Sequence, residues 1–236
     1  MDLLFIFTAL VTISVAVQCD NLAQLADVSN QRSINEHDND PVTNETIKNT
    51  ETEKVVVDIY YESRCPVCIN FFVNKLEPEI PSLHEFLDIR LYPYGNAYTT
   101  KKGDQYEVSC QHGESECYGN KLHACAIDIL KNVTKSTLFI SCASDWYSDD
   151  KAVDECSKWL KFNGEPIKKC AKSDKGHQLL KYYGDESNKI YYPGVPHVRI
   201  NGIHAPWNHF KENVCTAFKT PPPPCRENRN KEIISE

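Results

Sequence analysis

The sequence predicts an α/β body built on a strand–helix–strand unit, with a cysteine-rich helical insertion before the sheet is completed. Three observations carry this. The β-branched and aromatic run Lys54–Tyr61 leads into Cys65-Pro66-Val67-Cys68 and then into apolar residues at helical spacing. A second strand pattern, Asp88–Pro93, follows that helix. A third, Pro196–Asn201, arrives only after a stretch at about 95–184 that holds six of the eleven cysteines.

In chain order, Leu3–Val17 is an apolar run broken only by Thr8, Thr12 and Ser14. A membrane span needs ~20 residues, so this one suits the core of a signal peptide, with Val17-Gln18-Cys19 as the cleavage site. Cleavage after Cys19 turns eleven cysteines into ten. Residues 20–53 are polar, with no aromatic residue or further cysteine. Over 20–54 eight acids face only Arg32, Lys48 and Lys54, a net of −5. Such a segment lacks the apolar surface to order itself and reads as a leader or propeptide. The body, 54–225, begins with Lys54–Tyr61, short and apolar enough for a buried strand. Apolar positions 69, 72, 73 and 76 give a helical period that Pro78 and Pro81 should kink or restart, and Leu83, Phe86 and Leu87 resume it. The insert at 95–184 shows no strong strand; helical patterns fit Leu122–Leu130, Ala152–Phe162 and His177–Tyr183. After Pro196–Asn201, Gly202 signals a turn. Trp207–Phe218 fits a closing helix, and the four prolines after Thr220 read as a rigid extended exit to the tail, 226–236.

Of the formal charge of −7, the leader carries most, and the body is nearly neutral. That excludes the basic footprint of a nucleic-acid binder. No second apolar stretch reaches spanning length, so the mature protein is expected to lack a membrane span and to be a monomer. The sequons at Asn44 and Asn132 gain meaning from the signal peptide. Signal, sequons and cysteines together point to the secretory pathway.

Cys65-Pro66-Val67-Cys68 at a strand-to-helix junction has the parts needed for thiol–disulfide exchange. The first cysteine sits where open N–H groups and the helix dipole favour a thiolate, and Pro66 suits the first helical turn. Arg64 offers a further positive charge. Cys68, one turn in, is placed to resolve a mixed disulfide on Cys65. A structural bridge and a zinc half-site are the alternatives. No second C-x-x-C exists and Cys110-x-His112 lacks ligand spacing, so no metal and no cofactor are expected. Val195-Pro196 before the late strand is the second piece: in a thioredoxin-like fold this proline is cis and faces the cysteine pair.

Cys110-Gln111-His112-Gly113, with Glu116, Cys117, Asn120 and Cys125, reproduces C-Q-H-G-x2-E-C-x2-N-x4-C without a gap. This resembles the signature of the gamma-interferon-inducible lysosomal thiol reductase (GILT) family. The likeness extends to the C-x-x-C, to Pro93–Ala97, and to Val195-Pro196 with Asn201-Gly202, covering about 54–220. It implies a thioredoxin-like fold with a helical insert and reduction of protein disulfides in acidic endosomes or lysosomes, or after secretion. Cys65 is then the attacking and Cys68 the resolving thiol, Val195 and Pro196 the substrate-binding pair, and a small external thiol the reductant. Cys110, Cys117, Cys125, Cys142, Cys156, Cys170, Cys215 and Cys225 remain for structural disulfides whose pairing the sequence leaves open. His112 and Glu116 either tune the active site or play a structural hydrogen-bonding role. A secretory-pathway oxidase or isomerase, and a secreted binding protein of host defence on the same scaffold, are the rival readings.

Overall fold

The computed structural model describes residues 53–103 and 105–226. The expected signal peptide, nearly all of the leader with its sequon at Asn44, and the tail beyond Arg226 lie outside the described residues.

The predicted strand is β1, Val55–Tyr61, buried along almost its whole length. α1, Pro66–Phe71, follows, widens into a π turn at Phe72–Leu76, tightens at Pro78 into a 3-10 turn at Glu77–Glu79, and restarts as the short α2, Ile80–Leu83. Pro78 and Pro81 take early positions in their turns, where the missing N–H costs nothing. β2, Leu87–Pro93, returns parallel to β1, pairing Val55 with Leu87 through Tyr61 with Pro93.

The insertion comes next. It opens with a hairpin that the sequence does not suggest, β3 (Tyr98–Lys102) and β4 (Gln105–Ser109). None of its strand residues is buried, so no buried face imposes the alternation by which strands are read. Five helices follow: α3 (Glu114–Leu130), α4 (Val133–Asp145), α5 (Asp150–Trp159), α6 (Glu165–Ala171) and α7 (Asp174–Ser187). The expected patterns Leu122–Leu130 and His177–Tyr183 fall inside α3 and α7, Ala152–Phe162 overruns the end of α5 at Trp159 by three residues, and α4 and α6 go unread. α3 and α7 reach back to β2 and fasten the insertion to the sheet.

β5, His197–Ile200, then pairs antiparallel to β1, and β6, Ile203–Ala205, pairs with β5. Asn201 and Gly202, at φ 48° and 80°, form the two-residue turn that a tight hairpin requires. Asn201 also accepts a hydrogen bond from the Val56 N–H through Oδ1 at 3.0 Å. The sheet order is β2-β1-β5-β6, a parallel pair extended by an antiparallel hairpin. With the cysteine pair after β1 and a cis-proline before β5, this is the thioredoxin-like arrangement. α8, Phe210–Ala217, packs Phe210 against Phe71, ring centroids 5.7 Å apart. The prolines do not exit in a wholly extended form. Pro223–Arg226 coil into a last helical turn, α9, tied to α8 by Cys215–Cys225. That covalent tie outweighs the extended preference of a proline run.

Candidate active site

β1 ends at Tyr61, and Glu62, Ser63 and Arg64 turn the chain so that Cys65 caps α1. Cys65 is 8% exposed and Cys68 only 1%, and neither is bridged. The Cys65 thiol is lowered to about 6. The hydrogen bond from Cys68 is the largest cause; burial opposes it, while the N–H groups of Cys68 and Val67 and the charge of His112 add to it. Cys68 moves the other way, pushed well above the ordinary thiol range by burial, then by its hydrogen bond to Cys65 and the charge there. The pair is thus divided into one thiol lowered toward mild acid and a partner raised above the ordinary thiol range. The Val195–Pro196 bond is cis, and the Cys65 thiol donates to the Val195 carbonyl at 3.9 Å.

A second group of side chains backs the pair. Glu116, in the first turn of α3, is fully buried. Its Oε1 accepts the His112 backbone N–H at 3.0 Å, and its Oε2 lies 2.5 Å from His112 Nδ1. Glu62, also buried, places Oε1 3.5 Å from that same Nδ1 and accepts the Asn96 N–H on Oε2 at 2.9 Å. Gly95, at φ +65°, lets the backbone pass so close to Glu62 that a Cβ there would overlap the carboxylate. Ser63 completes the tie: its N–H donates to Asn120 Oδ1 at 2.8 Å and its hydroxyl to the Glu116 carbonyl at 3.1 Å. Burial is the main cause raising Glu62 to about 7; the Asn96 N–H opposes it, and the charges of Glu116 and Cys65 add to it. Burial alone would lower His112, but Glu116, Glu62 and Cys65 outweigh it and its pKa is raised.

The ligand atoms of Glu62, His112 and Glu116 lie within 4.8 Å of one another, close enough to hold a metal ion. Both Glu116 oxygens already face His112 nitrogens, so the cluster as it stands is an ion-pair network.

Residues 56–160 match the family model described as gamma interferon inducible lysosomal thiol reductase (GILT). The chain carries a GILT-family domain. It is 35% identical over 153 residues to a gamma-interferon-inducible lysosomal thiol reductase-like protein of Anopheles gambiae, covering 59% of this chain and 64% of that one. A gamma-interferon-inducible lysosomal thiol reductase of Carassius auratus is 33% identical over 159 residues, covering 64% and 61%. The chain therefore spans a little under two thirds of the length of these two relatives. GILT-like protein 2 of Drosophila melanogaster is 28% identical over 181 residues, covering 73% and 84%. Among solved structures, a thioredoxin-like oxidoreductase from Silicibacter pomeroyi superposes at a TM-score of 0.49 with 11% identity, covering 72% and 89%.

Within the GILT domain and its flanks, the structure gathers Cys65, Cys68, His112, Glu116, Val195 and Pro196 at one place. Arg64 lies in the turn before Cys65 with its Nε buried and without a hydrogen-bond partner, and Cys65 is lowered by Cys68, backbone N–H groups and His112. Glu62 was missed: sequence reading gave no role to an acid beside a strand end, and only its place three residues before Cys65 marked it. The eight remaining cysteines pair as Cys110–Cys117, Cys125–Cys170, Cys142–Cys156 and Cys215–Cys225. Asn132, the described sequon, caps α4 by accepting the Lys135 N–H at 2.8 Å. No helix among the described residues is long and apolar enough to cross a membrane.

Proposed function

We propose that this chain is a thiol–disulfide oxidoreductase that reduces protein disulfides, with Cys65 as nucleophile and Cys68 as resolving thiol. The observation that carries the reading is the unequal pair: one thiol lowered to about 6, its neighbour buried and raised. The Cys65 thiolate attacks a substrate disulfide, forming a Cys65–substrate mixed disulfide and expelling one substrate thiolate. Cys68 then gives up its proton and attacks the Cys65 sulfur. The second substrate thiolate leaves and is protonated, and the Cys65–Cys68 disulfide remains. Near neutral pH Glu62, raised to about 7 and close enough to act on both thiols, is suited to accept the Cys68 proton; in acid it is already protonated, and the departing substrate thiolate takes that proton. Two equivalents of a small external thiol restore the dithiol. The Val195 carbonyl, beside the Cys65 sulfur, offers an extended substrate a backbone partner.

Work in a mildly acidic compartment suits such a pair, since a free thiol with pKa ≈ 8.5 is almost wholly protonated there. The relatives' names place them in lysosomes, and an endolysosomal or secreted location is the reading for this chain. Insulin-disulfide reduction by the purified protein at about pH 5 and about pH 7 tests it. Substantial activity at the lower pH that disappears in Cys65→Ser is expected; full activity in Cys65→Ser would end the reading. A lowered nucleophile also stabilises the reduced form, which favours an oxidase. A reduction potential near that of strong oxidants, with no reductase turnover, would select that alternative.

A further inference from the structure

The signature Cys110–Cys125 holds one whole disulfide, Cys110–Cys117, half of a second at Cys125, and a set of hydrogen bonds, and its charged members call for a purpose. Two fully desolvated carboxylates, Glu62 and Glu116, converge on one ring nitrogen of His112, whose side chain is 37% exposed. Burying two carboxylates is costly unless a positive charge meets them. Among the described residues, both carboxylates make their ion pairs with the His112 ring, so the protonated imidazole is the cation that meets them. Its position is fixed on three sides. Cys110–Cys117 closes the loop that carries it, Glu116 grips both its backbone N–H and its ring, and Ser63 joins Glu116 and Asn120 to the turn leading into Cys65. Gly119 allows that approach, because a Cβ there would overlap the Ser63 hydroxyl.

We propose that Glu116 is a positioning residue that keeps His112 protonated beside the turn leading into Cys65, and that this imidazolium favours the Cys65 thiolate in acid. The proposal rests on the reading of Cys65 as the nucleophile and gives the signature its part in that reaction. The direction of the shifts agrees: His112 is raised and its charge lowers Cys65. The other titratable groups around the two thiols do not compete. Tyr61, against Cys68, is pushed far up by burial, and Tyr192, over Gly95, is raised to about 12 by burial, so both stay neutral. Arg64, in the turn, is not among the causes that shift Cys65. Glu62, raised to about 7, is largely protonated in acid and so neither holds the imidazolium nor repels the thiolate there.

The test is the pH profile of Cys65 alkylation by iodoacetamide in the reduced full chain, read by peptide mass mapping. It needs no substrate, so its failure is separate from failure of reductase activity. His112→Ala is expected to raise the midpoint by about one unit, a tenfold loss of thiolate at a fixed acidic pH. His112→Arg, which keeps the charge, should stay near the parent. Glu116→Gln should raise the midpoint less, and the double variant should match His112→Ala alone, because Glu116 acts through the imidazole. His112 lies on an exposed loop, so its variants should fold even if Glu116→Gln does not; thermal melts check this. An unmoved midpoint in folded His112→Ala would overturn the proposal, as would additive shifts in the double variant.

Discussion

The turn after β1 and the helical insertion both rely on cysteine, yet each surrounds it differently. In the insertion, Cys125 and Cys156 are fully buried and each is bridged, to Cys170 and Cys142. Cys68 is equally buried and remains a thiol. Burial alone therefore does not decide which cysteines bridge. What separates the regions is the charge around the sulfur: backbone N–H groups, an imidazole and two carboxylates at the turn, against an apolar and hydroxyl-lined interior in the helices. The histidines repeat the contrast. His112 is raised by its carboxylates, while His123, eleven residues further along and fully buried, is lowered to about 3 by desolvation. One is a charge to be used, the other part of the packing.

Substitutions that remove one function and spare the other divide these regions. The largest effect is at the turn: Cys65→Ser should abolish disulfide reduction while leaving thermal unfolding close to the parent. In the insertion the reverse holds. Replacing Cys125 and Cys170 with alanine opens a bridge of sequence separation 45 and should cost about 4 kcal/mol, against about 3 kcal/mol for Cys142–Cys156 at separation 14, read from denaturant midpoints. A smaller effect belongs to His197, which stacks on His204 and is lowered to about 4 by burial and by the charges of His204 and Arg199. Its folded pKa lies below the unfolded value of about 6.5, so its contribution is full above that pH and is lost progressively as pH falls towards 4. His197→Phe should flatten the stability profile across that window by about 2 kcal/mol, measured by melts at several pH values. Smallest of all, Arg64→Gln should leave the Cys65 alkylation midpoint near about 6.

Much of the site was legible because it is local. Cys65-Pro66-Val67-Cys68 sits between a strand and a helix in the sequence itself, and Val195-Pro196 stands directly before β5. What escaped was carried by long-range contacts. Glu62 acquires its meaning only when Gly95, Asn96 and His112 are folded onto it. α4 escaped for another reason. Its buried face includes Thr134, Ser136, Thr137, Ser141 and Ser144, so hydrophobic periodicity is masked. Thr137 is satisfied by the helix itself, donating to the Val133 carbonyl at 2.7 Å, whereas the Ser136 and Ser141 hydroxyls are buried without a partner. α6 opens Gly164-Glu165-Pro166, which reads as loop although proline is at home in a first turn. The pairing of eight cysteines was open because spacing does not rank the alternatives.

The account stands on Cys65 being the sulfur that meets the substrate. Reduced Cys68→Ser protein, mixed with a disulfide-bonded substrate and quenched with acid, measures this directly. Non-reducing peptide mapping should find the substrate joined to Cys65, with Cys110–Cys117 and the other three bridges intact. A substrate trapped on any other cysteine, or no trapped species while reduction proceeds at the parent rate, would contradict it.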